Sequence, residues 1–310
     1  MGEILIDFIV ADGTSSLDAA ETFVARCGGA PANAAVALAR LEVPSAFCGI
    51  AGNDPFASRL RTALAGEHVD TSRLRQTGVK ATTLAFAWKD LRGDGHFWLL
   101  RGADTLLTAG DVKNAGIRDL VALVVGSVSL AEQPSRSAIE TAVAMAYESN
   151  VPVVFDVNLR PTLWARLADA VPVCATIAAQ SFLVKLSLDD ARGLFGTNTS
   201  PPDAIAHTLA FGPRAVVLTD GDRGCWFADR ESESGFVPAF VVDAIEPTGA
   251  GDAFTAALIA RLIESSWASP TRDDVRYAAA AGALATTRSG AWDGLPNRTQ
   301  LDAFLRAHPN

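Results

Sequence analysis

The chain contains few of the residues that build metal centres and disulfide frameworks. Its 310 residues include only four cysteines and four histidines. Neither type recurs at the spacing of a metal-binding motif. Scattered cysteines in so long a chain are typical of reduced thiols. We therefore expect a cytoplasmic protein without a structural metal site.

Long apolar runs and an excess of positive charge are also missing. The longest apolar run, at 120–130, is shorter than the roughly 18 residues that a membrane-spanning helix needs. The first ten residues contain acids and no basic segment, so we expect no signal peptide. Lysine and arginine number 26 against 35 acids, a net charge of −9. This balance argues against nucleic acid or an anionic membrane as the main partner.

Two common nucleotide-binding motifs are absent. The pattern G-x-x-x-x-G-K-[ST] does not occur, which excludes a P-loop protein. The stretch GAGDAF at 249–254 lacks the third glycine of the dinucleotide fingerprint and does not follow an N-terminal strand. A Rossmann dehydrogenase is therefore disfavoured.

Buried apolar strands alternate with helical segments through the middle and C-terminal parts of the chain. This alternation predicts an α/β fold with a mostly parallel sheet, whose ligands gather at the carboxyl ends of the strands. The predicted strands are 121–130, 151–158, 175–187 and 215–228, with helices at 135–149 and 161–169.

The first hundred residues carry a different pattern, in which strand-like segments are joined by polar turns. The segment KDLRGDG at 89–95 predicts a hairpin. A glycine-rich turn at 28–33 leads into an alanine-rich helix. We therefore expect a small antiparallel flap built from residues near 8–12, 23–28 and 82–100.

One stretch places small residues and a carboxylate at the start of a helix. In PTGAGDAF, Thr248 is a suitable N-cap, and Gly249–Gly251 would expose backbone N–H groups at the positive end of the helix dipole. Asp252 lies in the same first turn. It could serve only the dipole, worth about 0.3–1 kcal/mol, or act beside an anion hole. Spacing alone leaves both interpretations open.

Three further motifs are weak when taken singly. GGAPAN at 28–33 is either a turn or a contact for polyol hydroxyls. FDVNLRPTLW at 155–164 places Asp156, Asn158 and Arg160 after a buried strand, where a loop or an active site would lie. TDGDRG at 219–224 fits a hairpin or a nucleotide-binding loop equally well.

In this order, the four motifs resemble those of the ribokinase-like, or PfkB, carbohydrate kinases over essentially the whole chain. The resemblance implies one domain at 1–310, with a three-layer α/β/α body and the antiparallel flap as a lid. It implies transfer of the γ-phosphate of ATP to a sugar hydroxyl. Asp252 resembles the general base, which we expect to be ionised at neutral pH. Gly249, Ala250 and Gly251 resemble the anion hole.

The resemblance also assigns binding residues. The sugar side comprises Asp7, Gly28, Gly29, Asn33, Arg101, Ser127 and Arg160. The ATP side comprises Asn158, Lys185, Ser187, Thr219, Gly221, Gly224 and Gly251. Mg²⁺ is implied, held mainly by ATP oxygens and reached by Asp190 through water. Glu246 and Thr248 are candidates for a monovalent cation such as K⁺.

Four positions, in three parts of the chain, depart from the family pattern. The Asn-x-x-Glu segment is here Ser187 to Asp190, with shorter side chains at both ends. The usual Asp before the anion hole is Glu246, which puts K⁺ activation in question. Ala279 replaces an Asn found on the adenine side of ribokinases.

The segment FWLLRGADTLLT at 97–108 resembles fructokinases, which predicts fructose as the substrate and fructose 6-phosphate as the product. Arg101 there either reaches the sugar or only packs along the flap. A 2-keto-3-deoxygluconate kinase and a nucleoside or aminoimidazole-riboside kinase are alternatives. A kinase-like protein that binds a sugar or a partner without turnover is a further alternative. Apolar flap strands favour a homodimer formed through the lid.

Overall fold

The apolar strands of the middle and C-terminal parts form one six-stranded sheet in the computed structural model, which describes residues 1–91, 95–230 and 234–309. Its spatial order is β12-β11-β10-β9-β8-β7. Strands β7 to β10 are parallel, and β11 and β12 are antiparallel to their neighbours. The strands of the described residues are β1 (Leu5–Val10), β2 (Phe23–Gly28), β3 (Gly49–Gly52), β4 (Leu74–Thr77), β5 (Thr83–Lys89), β6 (Gly95–Leu100), β7 (Leu123–Gly126), β8 (Val153–Asp156), β9 (Leu183–Ser187), β10 (Ala215–Thr219), β11 (Cys225–Asp229) and β12 (Ser234–Val237).

Helices cover both faces of this sheet, as its parallel strands require. One face packs against α1, α8 and α9, and the other against α4 to α7. The helices of the described residues are α1 (Ala30–Arg40), α2 (Pro55–Gly66), α3 (Ala109–Lys113), α4 (Ser135–Glu148), α5 (Ala170–Ala178), α6 (Leu188–Phe195), α7 (Pro201–Ala210), α8 (Ala250–Glu264), α9 (Arg272–Ala285), α10 (Ala291–Gly294) and α11 (Arg298–Ala307).

Strand β10 shows why the sequence produces this layering. Its side chains alternate between two hydrophobic clusters, with Val217 in the α8 layer and Val216 and Leu218 in the α4 layer. All three are fully buried. Burying each such side chain contributes about 1.5–3 kcal/mol, so a continuous apolar run is stable only between two helical layers. Within the described ranges, no helix is both long and apolar enough to cross a membrane.

The smaller sheet has the order β2-β1-β5-β6 and carries the predicted flap. Its outer pairs are antiparallel, as expected, whereas the central pair, β1 with β5, is parallel. Phe8, Phe86 and Trp98 stack across three of its strands, with ring centroids 5.5 and 5.6 Å apart. Strands β5 and β6 pair as the hairpin prediction requires, but residues 92–94 of its turn lie outside the described residues.

Several predicted segments differ in extent. The predicted strand 121–130 ends at Gly126 and is followed by a 3₁₀ turn, Val128–Leu130. The predicted strand 215–228 is two antiparallel strands, β10 and β11, because the glycine-containing turn at 220–224 reverses the chain. The predicted strand 175–187 is helical in its first part, because α5 continues to Ala178 before β9 begins at Leu183. Both parts are apolar and buried, and such a run does not distinguish a short helix from a strand. The predicted helix 161–169 consists of two 3₁₀ turns, Pro161–Leu163 and Leu167–Asp169.

Candidate active site

A cavity of about 250 Å³ opens at the carboxyl ends of the parallel strands, between the large sheet and the smaller one. It receives residues from the flap, from the loop after β8 and from the start of α8. The lining residues are Glu3, Leu5, Asp7, Gly29, Ala30, Asn33, Ala85, Phe97, Leu99, Val128, Asp156, Asn158, Arg160, Lys185, Pro247, Thr248, Gly249, Gly251 and Asp252. Motifs separated by more than 200 residues in the chain therefore meet at one site.

The backbone before α8 turns at Gly249, which is the N-cap residue. Its φ of 84° is left-handed, and a Cβ there would lie 2.8 Å from the carbonyl oxygen of Ala291. Only glycine fits such a position without strain. The prediction that Thr248 is the N-cap is therefore wrong. Thr248 instead lies at the cavity wall, one residue before the turn.

The predicted anion hole is only partly available. Gly249 and Gly251 line the cavity, and Gly251 lies in the first turn of α8, where N–H groups have no partner within the helix. Ala250 differs, because its N–H donates to the carbonyl oxygen of Pro247 at 3.1 Å. The assignment of Ala250 to the anion hole is therefore corrected: its amide closes the turn that presents Gly251.

Asp252 borders the cavity as the third residue of α8. Burial raises the pKa of Asp252 to about 7, and the negative charge of Asp156 adds to this effect. A hydrogen bond from Asn33 and the charges of Lys185 and Arg160 act in the opposite direction. Burial therefore acts against full ionisation at neutral pH, which was the expectation from the sequence. A carboxyl group with this pKa can accept or release a proton near neutrality.

A buried ion pair lies beside the start of α8. Nζ of Lys185 is 3.1 Å from Oδ1 of Asp156, and the hydroxyl of Thr255 donates to the other Asp156 oxygen at 2.7 Å. Burial alone would lower the pKa of Lys185, but the charges of Asp156, Asp190 and Asp252 outweigh it and keep this pKa raised. Lys185 therefore supplies a fixed positive charge at the cavity.

The opposite wall of the cavity is acidic. Asp7 on β1 lines it, and burial raises the pKa of Asp7 to about 7. Glu3, which sequence reasoning missed, lines it as well, and burial raises the pKa of Glu3 to about 7. Ser129 donates to Glu3 at 3.2 Å. The only indication of Glu3 in the sequence was its position just before β1. The two carboxyl groups are suited to hydrogen bonds with a polyol.

Gly28 does not line the cavity, although it was predicted to bind substrate. Its role is steric, because a Cβ at Gly28 would lie 1.9 Å from Oδ2 of Asp7. Gly29, which follows it, does line the cavity. Gly28 therefore provides the space that the Asp7 side chain occupies.

We expect Gly28→Ala to raise the KM for the sugar about 10- to 100-fold, because displacing a positioning group by about 1 Å has effects of this size. The affinity for ATP should stay unchanged. Steady-state kinetics with each substrate varied in turn would measure both. Gly66→Ala is the matched control, since a Cβ at Gly66 meets nothing within 4 Å. An unchanged sugar KM in Gly28→Ala would show that Asp7 does not position the sugar.

Asn33 links Asp252 to a residue that sequence reasoning missed. Its amide nitrogen donates to Oδ2 of Asp252 at 2.8 Å, and its carbonyl oxygen accepts from the indole N–H of Trp292 at 2.7 Å. Asn33 lines the cavity, as predicted for a substrate-binding residue. These contacts leave one of its N–H groups for a sugar hydroxyl.

The loop after β8 contributes Asn158 and Arg160, both in the cavity wall. Asn158 has a φ of 43°, a left-handed conformation that asparagine tolerates better than most residues. Arg160 lies 5.6 Å from the ring centre of Phe97 on β6. This contact joins the smaller sheet to the body across the mouth of the cavity.

Besides Gly28, two further residues predicted on the sugar side are not among the lining residues. Nε of Arg101 donates to the buried Asp104 at 2.7 Å, and its Nη1 donates to the carbonyl oxygen of Val128 at 3.0 Å. The hydroxyl of Ser127 donates to the carbonyl oxygen of Asn158 at 3.3 Å. Of the two interpretations of Arg101, the structure favours packing along the flap.

The predicted nucleotide loop lies along the same sheet edge but outside the cavity. Thr219 ends β10 and pairs in register with Ser187 at the end of β9. Gly221 and Gly224 follow, with φ values of 55° and 105°. Ser187 and Asp190 form a capping box for α6, and Leu159 donates its N–H to Asp190 at 2.7 Å. The structure therefore uses Asp190 as a cap and does not bring it into the cavity.

Glu246, one of the two candidate cation residues, contacts the segment 288–291. Glu246 accepts hydrogen bonds from the Ser289 hydroxyl at 2.7 Å and from the Gly290 N–H at 3.0 Å. Across residues 1–91, 95–230 and 234–309, no group of three or more His, Cys, Asp or Glu side chains could hold a metal ion.

A deep acidic pocket, a titratable carboxyl group and free amides beside a buried lysine define a site for transfer of an anionic group to a polar acceptor. The pfkB family of carbohydrate kinases matches residues 1–298. Fructokinase-1 of Zea mays is 33% identical, over 97% of this chain and 94% of its own length. The chain belongs to the pfkB family of carbohydrate kinases.

Solved structures agree with this membership. The fructokinase of Xylella fastidiosa with bound ATP has a TM-score of 0.88 at 28% identity, covering 99% of this chain and 97% of its own. The fructokinase of Vibrio cholerae O395 with fructose, ADP and calcium has a TM-score of 0.82 at 33% identity, covering 98% and 97%. The predicted family, the α/β fold and the enzyme class, a phosphotransferase acting on a sugar hydroxyl, are confirmed.

Proposed function

We propose that this protein is a fructokinase that transfers the γ-phosphate of ATP to fructose and yields fructose 6-phosphate. The observation that carries the proposal is the position of Asp252, which shares one cavity with the free amide end of α8 and with the acidic sugar wall. Similarity to fructokinases over nearly the whole chain supports the choice of sugar.

The roles proposed for the site residues follow from their contacts. Asp252 accepts the proton of the attacking hydroxyl, for which its pKa near 7 is suited. The backbone of Gly249 and Gly251, together with Lys185, stabilises the charge on the transferring phosphoryl group. Asp7, Asn33 and Gly29 hold the sugar hydroxyls.

ATP is proposed to extend from Gly251 across the ends of β9 and β10 to the turn at Thr219–Gly224. Gly221 and Gly224 have positive φ values that favour glycine, so these two positions present no side chain that would obstruct a nucleotide. Mg²⁺ supplies charge neutralisation of the phosphates when bound. A Vibrio cholerae fructokinase double mutant solved with fructose, ADP and potassium supports a K⁺ site, which we propose at Glu246 and Thr248.

The proposal extends to the organisation of the protein. We propose a single domain over 1–310, in which the smaller sheet acts as the lid. Trp98 and Leu100 on its edge strand β6 are 52% and 51% exposed. Such an apolar edge favours pairing with a second copy through the lid. Four free cysteines support a cytoplasmic location.

An ADP-release assay with Mg-ATP and a panel of fructose, glucose, ribose, 2-keto-3-deoxygluconate and adenosine tests the function. We expect fructose to give the highest kcat/KM. A preference for the ketoacid or the nucleoside would still show a phosphotransferase but would overturn the choice of fructose as the substrate. Absence of stimulation by every compound would favour the alternative that the protein binds without turnover.

A further inference from the structure

Three side chains from three distant segments form a continuous line of hydrogen bonds that ends at the proposed base. Trp292 on α10 donates to Asn33 on α1 at 2.7 Å, and Asn33 donates to Asp252 on α8 at 2.8 Å. Trp292 is 9% exposed and Asn33 is 5% exposed. Both contacts are hydrogen bonds between polar groups that are buried or partly buried, which the packing of apolar side chains alone does not require.

The donor chemistry of Trp292 fixes which way the Asn33 amide points. An indole N–H can only donate, so the atom facing it must be the amide oxygen of Asn33. The NH₂ group of the same amide then faces Asp252. Without the indole, rotation of the amide by 180° would turn its oxygen toward the carboxylate, where two acceptors repel each other.

The backbone of Trp292 is itself held in place by the side chain of Arg40. Nη1 of Arg40 donates to the carbonyl oxygens of Trp292 at 2.6 Å and Leu295 at 2.8 Å. Two hydrogen bonds join the Arg40 guanidinium to Glu67, at 2.8 and 2.6 Å. The indole therefore approaches Asn33 from a rigid support, which is what a positioning group needs.

We propose that Trp292 is a positioning residue for phosphoryl transfer, because its indole N–H fixes the amide of Asn33 and thereby holds Asp252 as an acceptor. This inference rests on the proposed function of Asp252. It extends that function to a residue outside the cavity wall. The charged groups that also face Asp252 are Asp156 from β8, Lys185 from β9 and Arg160 from the loop after β8.

The test is Trp292→Phe, which keeps an aromatic side chain and removes the indole N–H. A base must be deprotonated to act, so activity rises with pH through the pKa of Asp252, near 7. Losing the fixed donor should move this acid limb of kcat/KM upward by about one pH unit. Activity should then fall about tenfold at pH 6 and less than about twofold at pH 9. A packing defect would instead lower activity equally at every pH.

A direct titration separates this inference from the proposed function. The ¹³C NMR titration of the Asp252 carboxyl, without substrates, should show the same upward shift in Trp292→Phe. In an Asn33→Leu background, Trp292→Phe should cause no further shift, because the link is already absent. A shift that persists there, or an unchanged titration in the single variant, would overturn the proposal.

Trp267→Phe is the matched control. Trp267 lies beyond the opposite end of α8, and its buried indole N–H has no hydrogen-bond partner within the described part of the chain. In Trp267→Phe, the acid limb of the kcat/KM profile and the ¹³C titration of Asp252 should match those of the original protein. If Asp252→Asn retained turnover, the base assignment would fail, whereas the titration would still decide whether Trp292 orients Asn33 toward Asp252.

Discussion

Asp252→Asn is expected to lower turnover about 10²- to 10⁴-fold, the range that a positioned general base contributes. The amide keeps the size and the polar contacts of the carboxyl group but cannot accept the hydroxyl proton. ATP affinity should stay nearly unchanged, because no proposed ATP contact involves this side chain. Single-turnover kinetics and a binding titration with ATP would measure the two quantities separately.

Asp252→Asn should lower activity without lowering the stability of the folded protein. The folded protein raises the pKa of Asp252 above the ordinary value of 3.8, so it binds the proton more tightly than the unfolded chain does. The carboxylate therefore lowers the free energy of unfolding as pH rises from about 3.8 to about 7, and this loss stays constant at higher pH. At pH 8 the neutral Asp252→Asn variant should consequently melt no lower than the original protein.

Asp274→Asn is the matched control for this experiment. Asp274 occupies the same third position of α9 that Asp252 occupies in α8, but it caps the helix with Thr271 and pairs with Arg261. Its loss should lower Tm and leave turnover unchanged. If the two variants behaved alike, with stability reduced and turnover retained, Asp252 would be a helix-dipole residue and the base would have to lie elsewhere.

The layered fold was predictable because its determinants are local in sequence. The run Ala215–Thr219 is apolar at every position that faces a helical layer, and the flap segments alternate with turn residues. Strand β9 was misjudged at its start because the end of α5 is equally apolar. The parallel pairing of β1 with β5 was missed because it joins segments more than 70 residues apart, which no local pattern reports.

The parts of the site that lie within one short motif were predictable from the sequence. Contacts between residues that are far apart in the sequence were not. Gly249 and Asp252 lie within one helical turn, so their spacing in the sequence indicates the start of a helix. Trp292 and Asn33 are 259 residues apart, and Glu3 enters the cavity only because β1 is buried. The commitment of the Ala250 amide to Pro247 is a backbone detail that side-chain identity does not encode.

Lys185 is expected to be the residue whose loss damages both stability and catalysis. In Lys185→Met, Asp156 loses its cationic partner in a site where it is 6% exposed, and among the described residues only Thr255 still donates to its carboxyl group. Removing one partner of a buried ion pair costs about 3–5 kcal/mol, which should appear as a large fall in Tm.

Turnover of Lys185→Met should also fall about 10²-fold, the effect of removing one charge-stabilising donor. Lys185 lies close to the proposed phosphoryl site, because a Cβ built on Gly251 would be 2.9 Å from its Nζ. The double variant Asp156→Asn/Lys185→Met separates the two roles. A neutral pair should recover most of the lost stability, whereas the positive charge beside Gly251 stays absent and turnover stays low. Recovery of turnover together with stability would mean that Lys185 serves only to neutralise Asp156.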